Sequence, residues 1–299
     1  MNTKLHRLSL LLLTLLICLS ASGKKFKEKD LTLVNGDFSM PGTLLMAGNK
    51  KAPVVIFVHG SGPNDRDETV GPNKPFRQLA EGLASFGISS FRYDKRTMIY
   101  KGGADTITYM GETVEDAVAA VKMLSGMGYR HIFVAGHSLG GHCLPLIAKA
   151  TEGIAEGYII LSGNVRTMRV MIDGQLSYIG KIQNLPQQTI DTYKEQMMAS
   201  LPKRYIEFDE TYKPDEVIKT LAPARWLVIQ GGYDYQVTKE DFDLWNEYFG
   251  DKAEYFYGKT LDHLLRHSDA MATPASYLSA GEVDQSVINS IAGFILSHK

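Results

Sequence analysis

The 299-residue chain is long enough for one large α/β domain, and its 44% of hydrophobic residues is ample for a sizeable core, which excludes a largely disordered protein. Its 32 basic and 33 acidic residues nearly cancel, and no block of five or six like charges occurs in it. The charge therefore gives no reason to expect nucleic acid or an anionic surface as a partner.

The first 23 residues have the pattern of a secretory signal peptide. Lys4 and Arg7 precede an apolar run at residues 8–19, and the small residues 21–23 follow it as a cleavage site. The apolar run is shorter than the ~20 residues that span a bilayer, so we expect no stable membrane insertion. These features predict a signal peptide at residues 1–23 and an exported protein, periplasmic or extracellular.

The two cysteines bear on lipid anchoring and on disulfide formation in the exported chain. Cys18 suggests a lipoprotein, but bulky Ile17 precedes it where a small residue is expected, so we favour a chain without a lipid anchor. Cleavage after residue 23 leaves Cys143 as the single cysteine of residues 24–299. The mature chain then cannot form an internal disulfide, and its stability must come from its core.

Strands and helices alternate along the rest of the chain. Residues 31–46 are expected to form an antiparallel hairpin at the sheet edge, with Pro41 and Gly42 between its two strands. Residues 53–58 form a continuous apolar run, typical of a parallel strand that is covered on both faces. The elements that follow are a helix carrying Phe76, Leu79, Ala80, Leu83 and Phe86, a strand at 88–93, a helix carrying Val114, Ala117, Val118, Val121 and Leu124, a strand at 131–135, a helix to about 149, strands at 158–161 and 226–229, a helix at 240–249, a strand at 254–257 and a last helix carrying Val287, Ile288, Ile291 and Ile295. Repeated units of this length predict an α/β fold whose mainly parallel sheet has helices on both faces.

One stretch of about sixty residues interrupts the alternation. Residues 162–222 hold helical patterns with scattered methionines and tyrosines, and no convincing strand. Because a structureless loop of that length is uncommon, we predict a helical cap insertion at about residues 163–222 within a single domain at residues 24–299. The cap is expected to lie over the carboxyl ends of the strands, where open α/β sheets bind ligands.

A candidate nucleophile follows the strand at 131–135. A serine hydroxyl is a poor nucleophile at neutral pH, so it needs a base, an acid that orients the base, and donors for the oxyanion. The run GHSLG at residues 136–140 places glycines two residues before and two after Ser138, which permits the strained turn that exposes a serine between strand and helix. The pattern alone is weak, but its position after a strand and before a helix predicts Ser138 as the nucleophile.

The acid and the base are expected after later strands. Asp234 follows the strand at 226–229, and its other interpretation is a cap for the next helix, although Thr238 is better placed for that role. His263 follows the last strand, 29 residues beyond Asp234, and His267 is its rival. The order serine, acid, histidine matches what a nucleophile turn on this kind of α/β sheet requires, so Asp234 and His263 are the predicted acid and base.

The oxyanion hole needs two backbone amides. The first is that of Leu139, directly after the nucleophile. For the second we choose Ser61, because the run HGSGP at residues 59–63 follows the first parallel strand and its small residues let the backbone approach a ligand. The alternative is an ordinary Gly-Pro turn, and His59 is expected to stabilise this loop.

The remaining polar clusters are expected to be structural. The charged runs at residues 65–68 and 92–96 lie at the same edge of the sheet and are expected to pair with each other. His137 and His142 flank the serine and are not expected to face the site. No HExxH or paired-histidine spacing occurs, so no metal and no cofactor are expected.

Several motifs occur in an order that resembles a known group of enzymes. From about residue 53 onward, the runs at 59–63, 92–96, 136–140, 231–238 and 261–264 are similar to those of bacterial α/β-hydrolases of the dienelactone-hydrolase-like or acyl-esterase group. The resemblance implies a carboxylesterase or deacylase that forms an acyl-enzyme, with Ser138, Asp234 and His263 as its triad and a helical cap over its pocket.

Two residues depart from the pattern of that group. Asp262 stands where relatives often have Asn, and it could raise the basicity of His263 or have a structural role. Gly232 stands where a charged residue is frequent, which suggests local flexibility near Asp234. Neither departure removes a member of the triad.

The sequence therefore predicts a secreted serine hydrolase that cleaves a small-molecule or glycan-linked acyl ester. A serine aminopeptidase or an acyltransferase with the same triad is the alternative, and a non-catalytic binding module with a hydrolase fold is the second alternative. The sequence does not specify the acyl group, the alcohol or the oligomeric state. An apolar lining of the pocket is suggested by six cap residues, although such residues more often serve in plain packing: Met168, Met171, Tyr178, Tyr193, Met197 and Met198.

Overall fold

A computed structural model describes residues 26–100 and 108–297. The predicted signal peptide and Cys18 lie outside these residues. Within the described ranges, no helix is both long enough and apolar enough to cross a membrane.

The centre of the molecule is an eight-stranded sheet. Its strands are β1 Lys27–Asn35, β2 Phe38–Met46, β3 Val54–Val58, β4 Ser89–Tyr93, β5 Ile132–His137, β6 Gly157–Leu161, β7 Arg225–Gly231 and β8 Ala253–Gly258. They lie in the order β1-β2-β4-β3-β5-β6-β7-β8, and pairing is antiparallel for β1 with β2 and β2 with β4, and parallel elsewhere. The mainly parallel sheet with an antiparallel N-terminal hairpin is confirmed.

The hairpin turn does not lie where the sequence suggested. Residues 36 and 37 connect β1 to β2, and Gly36 has φ +57°, whereas Pro41 and Gly42 lie inside β2. Proline is tolerated there because the ladder between β2 and β4 ends at Gly42, so the missing Pro41 N–H removes no bond of that ladder. The Pro41 carbonyl still accepts a hydrogen bond from Asp94 N at 2.8 Å.

Helices cover both faces of the sheet and explain its continuous apolar strands. In chain order they are α1 Pro75–Ser85, α2 Arg96–Ile99, α3 Asp116–Gly126, α4 Leu139–His142, α5 Leu144–Ala150, α6 Met168–Ile182, α7 Gln187–Ser200, α8 Lys203–Thr211, α9 Pro214–Ile218, α10 Lys239–Phe249 and α11 Gln285–Leu296, with a π-helical turn at Met110–Glu115 and 3₁₀ turns at Gly250–Lys252 and Pro274–Leu278. Val54 and Ile56 of β3 pack in one core with α3, α5 and α10, while Val55 and Phe57 pack in the other with α1 and α11.

The stretch between β6 and β7 contains α6, α7, α8 and α9 and no strand. The helical cap insertion expected there is therefore present. Arg166 joins its first residues to α10, because its guanidinium pairs with Asp241 at 2.6 Å and also contacts Glu240. Thr238 occupies the N-cap position of α10 as expected, but its hydroxyl accepts a hydrogen bond from Arg166 instead of capping the helix.

The two charged runs pair as expected. Arg66 forms a bidentate contact with Asp94, through its Nε at 3.0 Å and its Nη2 at 2.9 Å, and Arg92 pairs with Asp67. The first pair is partly exposed, whereas Arg92 is buried. These contacts hold the loop after β3 against the loop after β4, at the carboxyl edge of the parallel strands.

Candidate active site

Ser138 lies in a strained turn between β5 and α4. Its backbone has φ +51° and ψ −117°, a conformation that costs a non-glycine residue roughly 1–3 kcal/mol. The flanking glycines make the turn possible, since a Cβ on Gly136 would lie 2.4 Å from the Gly140 carbonyl oxygen, and one on Gly140 would lie 2.3 Å from that of Val58. The turn therefore has the geometry of a nucleophile elbow.

Asp234 and His263 meet in a buried hydrogen bond. His263 Nδ1 lies 2.7 Å from Asp234 Oδ2, and Asp234 Oδ1 accepts hydrogen bonds from the backbone N–H groups of Gln236 at 2.8 Å and Val237 at 3.0 Å. A proton on Nδ1 that is donated to this carboxylate leaves Nε2 of His263 free to accept another. The arrangement is therefore that of an oriented base.

Ser138 and His263 border the same cavity. Its volume is about 310 Å³, and Gly60 and Ser61 also line it. His267 lies elsewhere, because its side chain is 60% exposed and contacts Thr260 and Asp269. Of the two candidate bases, the structure brings only His263 to Asp234 and to the cavity beside Ser138.

The loop after β3 fixes the direction of a backbone amide near Ser138. The Gly60 carbonyl accepts hydrogen bonds from Lys95 Nζ at 2.7 Å and from Asn64 Nδ2 at 3.3 Å. The peptide bond between Gly60 and Ser61 is trans, so the N–H of Ser61 points in the opposite direction to that carbonyl. Leu139 is the first residue of α4, where a helical N–H has no partner within the helix.

A second cavity lies under the cap. It has a volume of about 490 Å³, and Ser61, Ser138 and Leu139 are among the residues that line it. Of the six cap residues predicted to line the pocket, Met168, Met171 and Met197 do so. Tyr178, Tyr193 and Met198 do not line it, and the Tyr178 ring instead stacks on Tyr235 with the ring centroids 5.2 Å apart.

Polar side chains also line this cavity. Tyr205 donates a hydrogen bond to Glu112, whose carboxylate also lies 3.5 Å from Lys95 Nζ. Asp209 accepts a hydrogen bond from Met168 N at 2.6 Å, and burial raises the pKa of its carboxyl to about 6. The cavity thus combines an apolar lining from the cap with buried carboxylates.

His137 contributes to the site, contrary to expectation. Its ring lines the smaller cavity beside Ser138, with its centroid 4.6 Å from that of His263. Nε2 donates a hydrogen bond to the His263 carbonyl at 2.8 Å, and Nδ1 lies 3.0 Å from Glu68 Oε2. His142, in contrast, faces away, and its Nδ1 bonds to the Asn164 carbonyl at 3.0 Å.

Glu68 and His137 form a charged pair inside the protein. Burial alone favours the neutral form of each group, but their mutual attraction outweighs it, so the pKa of Glu68 is lowered and the pKa of His137 is raised. His59 packs between the rings of Phe76 and Tyr93, and burial lowers its pKa to about 4. A neutral, packed His59 fits the expected role of stabilising its loop.

The two departures from the family pattern have structural explanations. The Asp262 carboxylate accepts hydrogen bonds from Leu264 N at 2.9 Å and from the Arg266 guanidinium at 2.7 and 2.9 Å, so it shapes the loop that carries His263. Gly232 is required by packing, because a Cβ there would lie 2.4 Å from the Lys259 carbonyl oxygen. The suggested flexibility at Gly232 is not needed to explain this glycine.

Within residues 26–100 and 108–297, no group of three or more His, Cys, Asp or Glu side chains has the arrangement of a metal site. The polar groups around Ser138 are instead engaged with one another, as the pairs of Asp234 with His263 and of Glu68 with His137 show.

Comparisons with known proteins show what this chain is similar to. The sequence profile of a family described as serine aminopeptidase, S33, matches residues 49–231, which include Ser61 and Ser138 and end before Asp234. The chain is 35% identical over 289 residues to the esterase EstD of Thermotoga maritima, an alignment that covers 91% of this chain and 68% of that protein.

Solved structures show the same fold at lower identity. Est1E from Butyrivibrio proteoclasticus is 17% identical with a TM-score of 0.60, over 89% of this chain and 97% of the other. A dienelactone hydrolase from Anabaena variabilis is 15% identical with a TM-score of 0.57, over 91% of this chain and 98% of the other.

Proposed function

Because this chain belongs to the α/β-hydrolase superfamily, and within it to the family described as serine aminopeptidase, S33, we propose that it is a serine hydrolase that cleaves carboxylic esters through an acyl-enzyme. The observation that carries the proposal is the buried 2.7 Å hydrogen bond between Asp234 and His263 at the cavity that the strained Ser138 borders. The 35% identity to an esterase supports ester bonds as the substrate class.

The proposed reaction has two steps of the same kind. Ser138 Oγ attacks the ester carbonyl while His263 Nε2 takes its proton, and the imidazolium is stabilised by Asp234. The oxyanion is held by the backbone amides of Ser61 and Leu139. His263 then gives the proton to the leaving alcohol, and a water molecule, activated by the same base, releases the acid from Ser138.

The two cavities suggest how an ester is placed. His263 protonates the leaving alcohol, so the alcohol is expected in the 310 Å³ cavity that His263 lines. The acyl group is then expected under the cap, in the 490 Å³ cavity bordered by Leu139 and the cap methionines. This assignment favours esters with an acyl group larger than acetyl, because a small acyl group would leave most of the larger cavity unfilled.

Substitution of the nucleophile is the direct test. We expect Ser138→Ala to lower ester turnover by about 10⁴-fold or more, since only the oxyanion amides and substrate binding then contribute to the rate. A panel of p-nitrophenyl esters of increasing acyl length measures this, and thermal unfolding checks that the variant is folded. Turnover by Ser138→Ala at the wild-type rate would overturn the proposal.

A peptidase or acyltransferase is the second candidate, because the matching family is described as serine aminopeptidase. The same triad attacks amides and can transfer an acyl group to an amine or alcohol instead of water. Assays of matched ester, aminoacyl anilide and amine-acceptor substrates separate these activities. The proposal predicts that kcat/KM is highest for the ester, and a higher value for the anilide would favour the peptidase. The 35% identity to an esterase over most of the chain argues against the non-catalytic binding module.

Export is a further part of the proposal, and it rests on the sequence of residues 1–23. Expression of the full chain followed by cell fractionation and N-terminal sequencing tests it. The expected result is a periplasmic or extracellular protein that begins at Lys24. An intact N-terminus in the cytoplasm, or a lipid-modified Cys18, would contradict it.

A further inference from the structure

Glu68 and His137 are buried charged groups that the proposed reaction does not use. Only 3% of Glu68 and 6% of His137 is exposed, and their closest charged atoms are 3.0 Å apart, in an ion pair whose N–H is not aligned as a hydrogen bond. Burying two charges is costly, and replacing such a pair with apolar residues is often neutral or stabilising. Stability alone therefore does not account for this pair.

The pair contacts three loops of the site at once. Glu68 Oε1 accepts a hydrogen bond from the Gly60 N–H at 2.7 Å, next to the Ser61 amide. His137 directly precedes Ser138 in the chain, and its Nε2 donates a hydrogen bond to the His263 carbonyl at 2.8 Å. One ion pair thus connects the loop that carries the proposed oxyanion donor, the nucleophile turn and the backbone of the base.

The backbone at Glu68 is itself strained. Its φ is +52°, in the left-handed region that costs most non-glycine residues free energy. In this conformation the Glu68 carboxylate packs closely against Gly60. A Cβ added to Gly60 would lie 3.2 Å from Ser138 Cβ and 3.3 Å from Glu68 Oε1. Such strain is typical of segments in which function, more than stability, determines the backbone.

We propose that Glu68 and His137 are positioning residues, which hold the Gly60–Ser61 peptide, Ser138 and His263 in the relative placement that the transition state requires. The inference rests on the proposed function, because it assumes that Ser138 reacts and that Ser61 N–H binds the oxyanion. Neither side chain has to exchange a proton with the substrate. A placement error of about 1 Å in such a site can reduce turnover by about 10²-fold.

The test compares Glu68→Ala with Glu68→Gln. Alanine removes both the ion pair and the acceptor for Gly60 N–H, so we expect kcat to fall by about 10²-fold with KM changed by less than about threefold. Glutamine keeps the acceptor and loses only the charge, so we expect the kcat of Glu68→Gln to be at least about tenfold higher than that of Glu68→Ala. A role in stability alone would lower the melting temperature and leave kcat per folded molecule unchanged.

Asp116→Asn is the matched control. Asp116 is fully buried and pairs with Arg96, and neither residue touches Ser138 or His263. We expect this variant to lose thermal stability while it keeps the wild-type kcat per folded molecule. If Glu68→Ala loses no more kcat than Asp116→Asn, the inference is wrong.

His137→Asn breaks the ion pair by removing the imidazole instead of the carboxylate. This variant tests the inference if Glu68→Ala does not fold. It leaves the contact between Glu68 and Gly60, so we expect kcat to fall by about 10-fold to 10²-fold at similar KM. A folded His137→Asn enzyme with the kcat of the wild type would also overturn the inference.

Labelling by a fluorophosphonate separates failure of this inference from failure of the proposed function. The reagent reacts with an activated serine and requires no leaving alcohol or acyl pocket. We expect wild-type protein to be labelled rapidly and Glu68→Ala to be labelled about 10²-fold more slowly. Equal labelling of both would overturn the inference alone, whereas unlabelled wild-type protein would overturn the assignment of Ser138.

Discussion

The loops at the carboxyl edge of the sheet and the helices of the cap each line a cavity that Ser138 borders, and they are built differently. The loops contain buried charged groups in direct contact, namely Lys95 with the Gly60 carbonyl, Glu68 with His137, and Asp234 with His263. In the cap, α6 and α7 bury only Met171, Gly180 and Ile190. Under the proposed function, we expect the loops to determine the rate of reaction and the cap to determine which acyl group is accepted.

Apart from loss of the nucleophile itself, the largest effect is expected from the base, on the loop side of this comparison. His263→Ala removes the group that moves the proton in both steps, so kcat is expected to fall by about 10²-fold to 10⁴-fold for every ester. His267→Ala is the matched control, because His267 is exposed and does not contact Asp234. Steady-state kinetics on both variants checks the prediction, which is contradicted if His267→Ala shows the larger loss.

A smaller effect is expected from Lys95, which acts through the Gly60 carbonyl. Lys95→Met keeps the volume of the side chain but removes the 2.7 Å hydrogen bond that fixes the direction of the Ser61 amide. The Gly60 carbonyl then keeps only the 3.3 Å hydrogen bond from Asn64 Nδ2, so the Ser61 amide is held less firmly. We therefore expect kcat to fall by about 10-fold to 10²-fold for short and long esters alike. A loss confined to long-chain esters would instead mean that Lys95 acts on the acyl cavity under the cap, and not on the oxyanion amide.

A change in specificity, and not in rate, is expected from the cap. Met171 lines the 490 Å³ cavity, so Met171→Trp should fill part of it and lower kcat/KM for octanoyl esters by about tenfold, with acetyl esters little affected. Tyr193→Trp is the control, since Tyr193 is exposed and does not line the cavity. Equal losses for both ester lengths would mean that the cap also positions the reacting groups.

The smallest effect is expected on the pH dependence of stability, through the ion pair of Glu68 with His137. The raised pKa of His137 contributes stability that is fully present below pH 6.5 and is lost as pH rises through its folded pKa. The lowered pKa of Glu68 contributes stability that is fully present above pH 4.5 and is lost as pH falls through its folded pKa.

Melting temperatures measured from pH 4 to pH 9 check this prediction. The difference between wild-type protein and Glu68→Gln is expected to be largest between pH 4.5 and 6.5 and to shrink at alkaline pH. A difference that stays constant over the whole range would show that the pair is not charged in the folded protein.

The fold and the positions of the candidate site residues along the chain could be predicted from the sequence. Apolar strands followed by helices identified the parallel sheet, and glycines around Ser138 identified the turn, because both depend on local patterns. Asp234 and His263 could be located from strand ends alone. The bond between them could not be seen in the sequence, since it depends on how two loops 29 residues apart pack.

The remaining features depend on tertiary contacts that a pattern does not encode. Glu68 stands in a charged run at residues 65–68 and looks like a surface residue, yet it is buried against His137. The signal that could have found it is a histidine directly before the nucleophile, at the end of a buried strand, which requires a polar partner. The need for glycine at position 232 could not be predicted either, because it arises from a close contact with the Lys259 backbone that leaves no pattern in the sequence.

The most direct test of the account is the site of covalent labelling by a fluorophosphonate, determined by peptide mass spectrometry on the wild-type protein and on Ser138→Ala. The account predicts one labelled residue, Ser138, with labelling abolished by Ser138→Ala and strongly slowed by His263→Ala. Label on another residue, or ester turnover without any labelled serine, would contradict it.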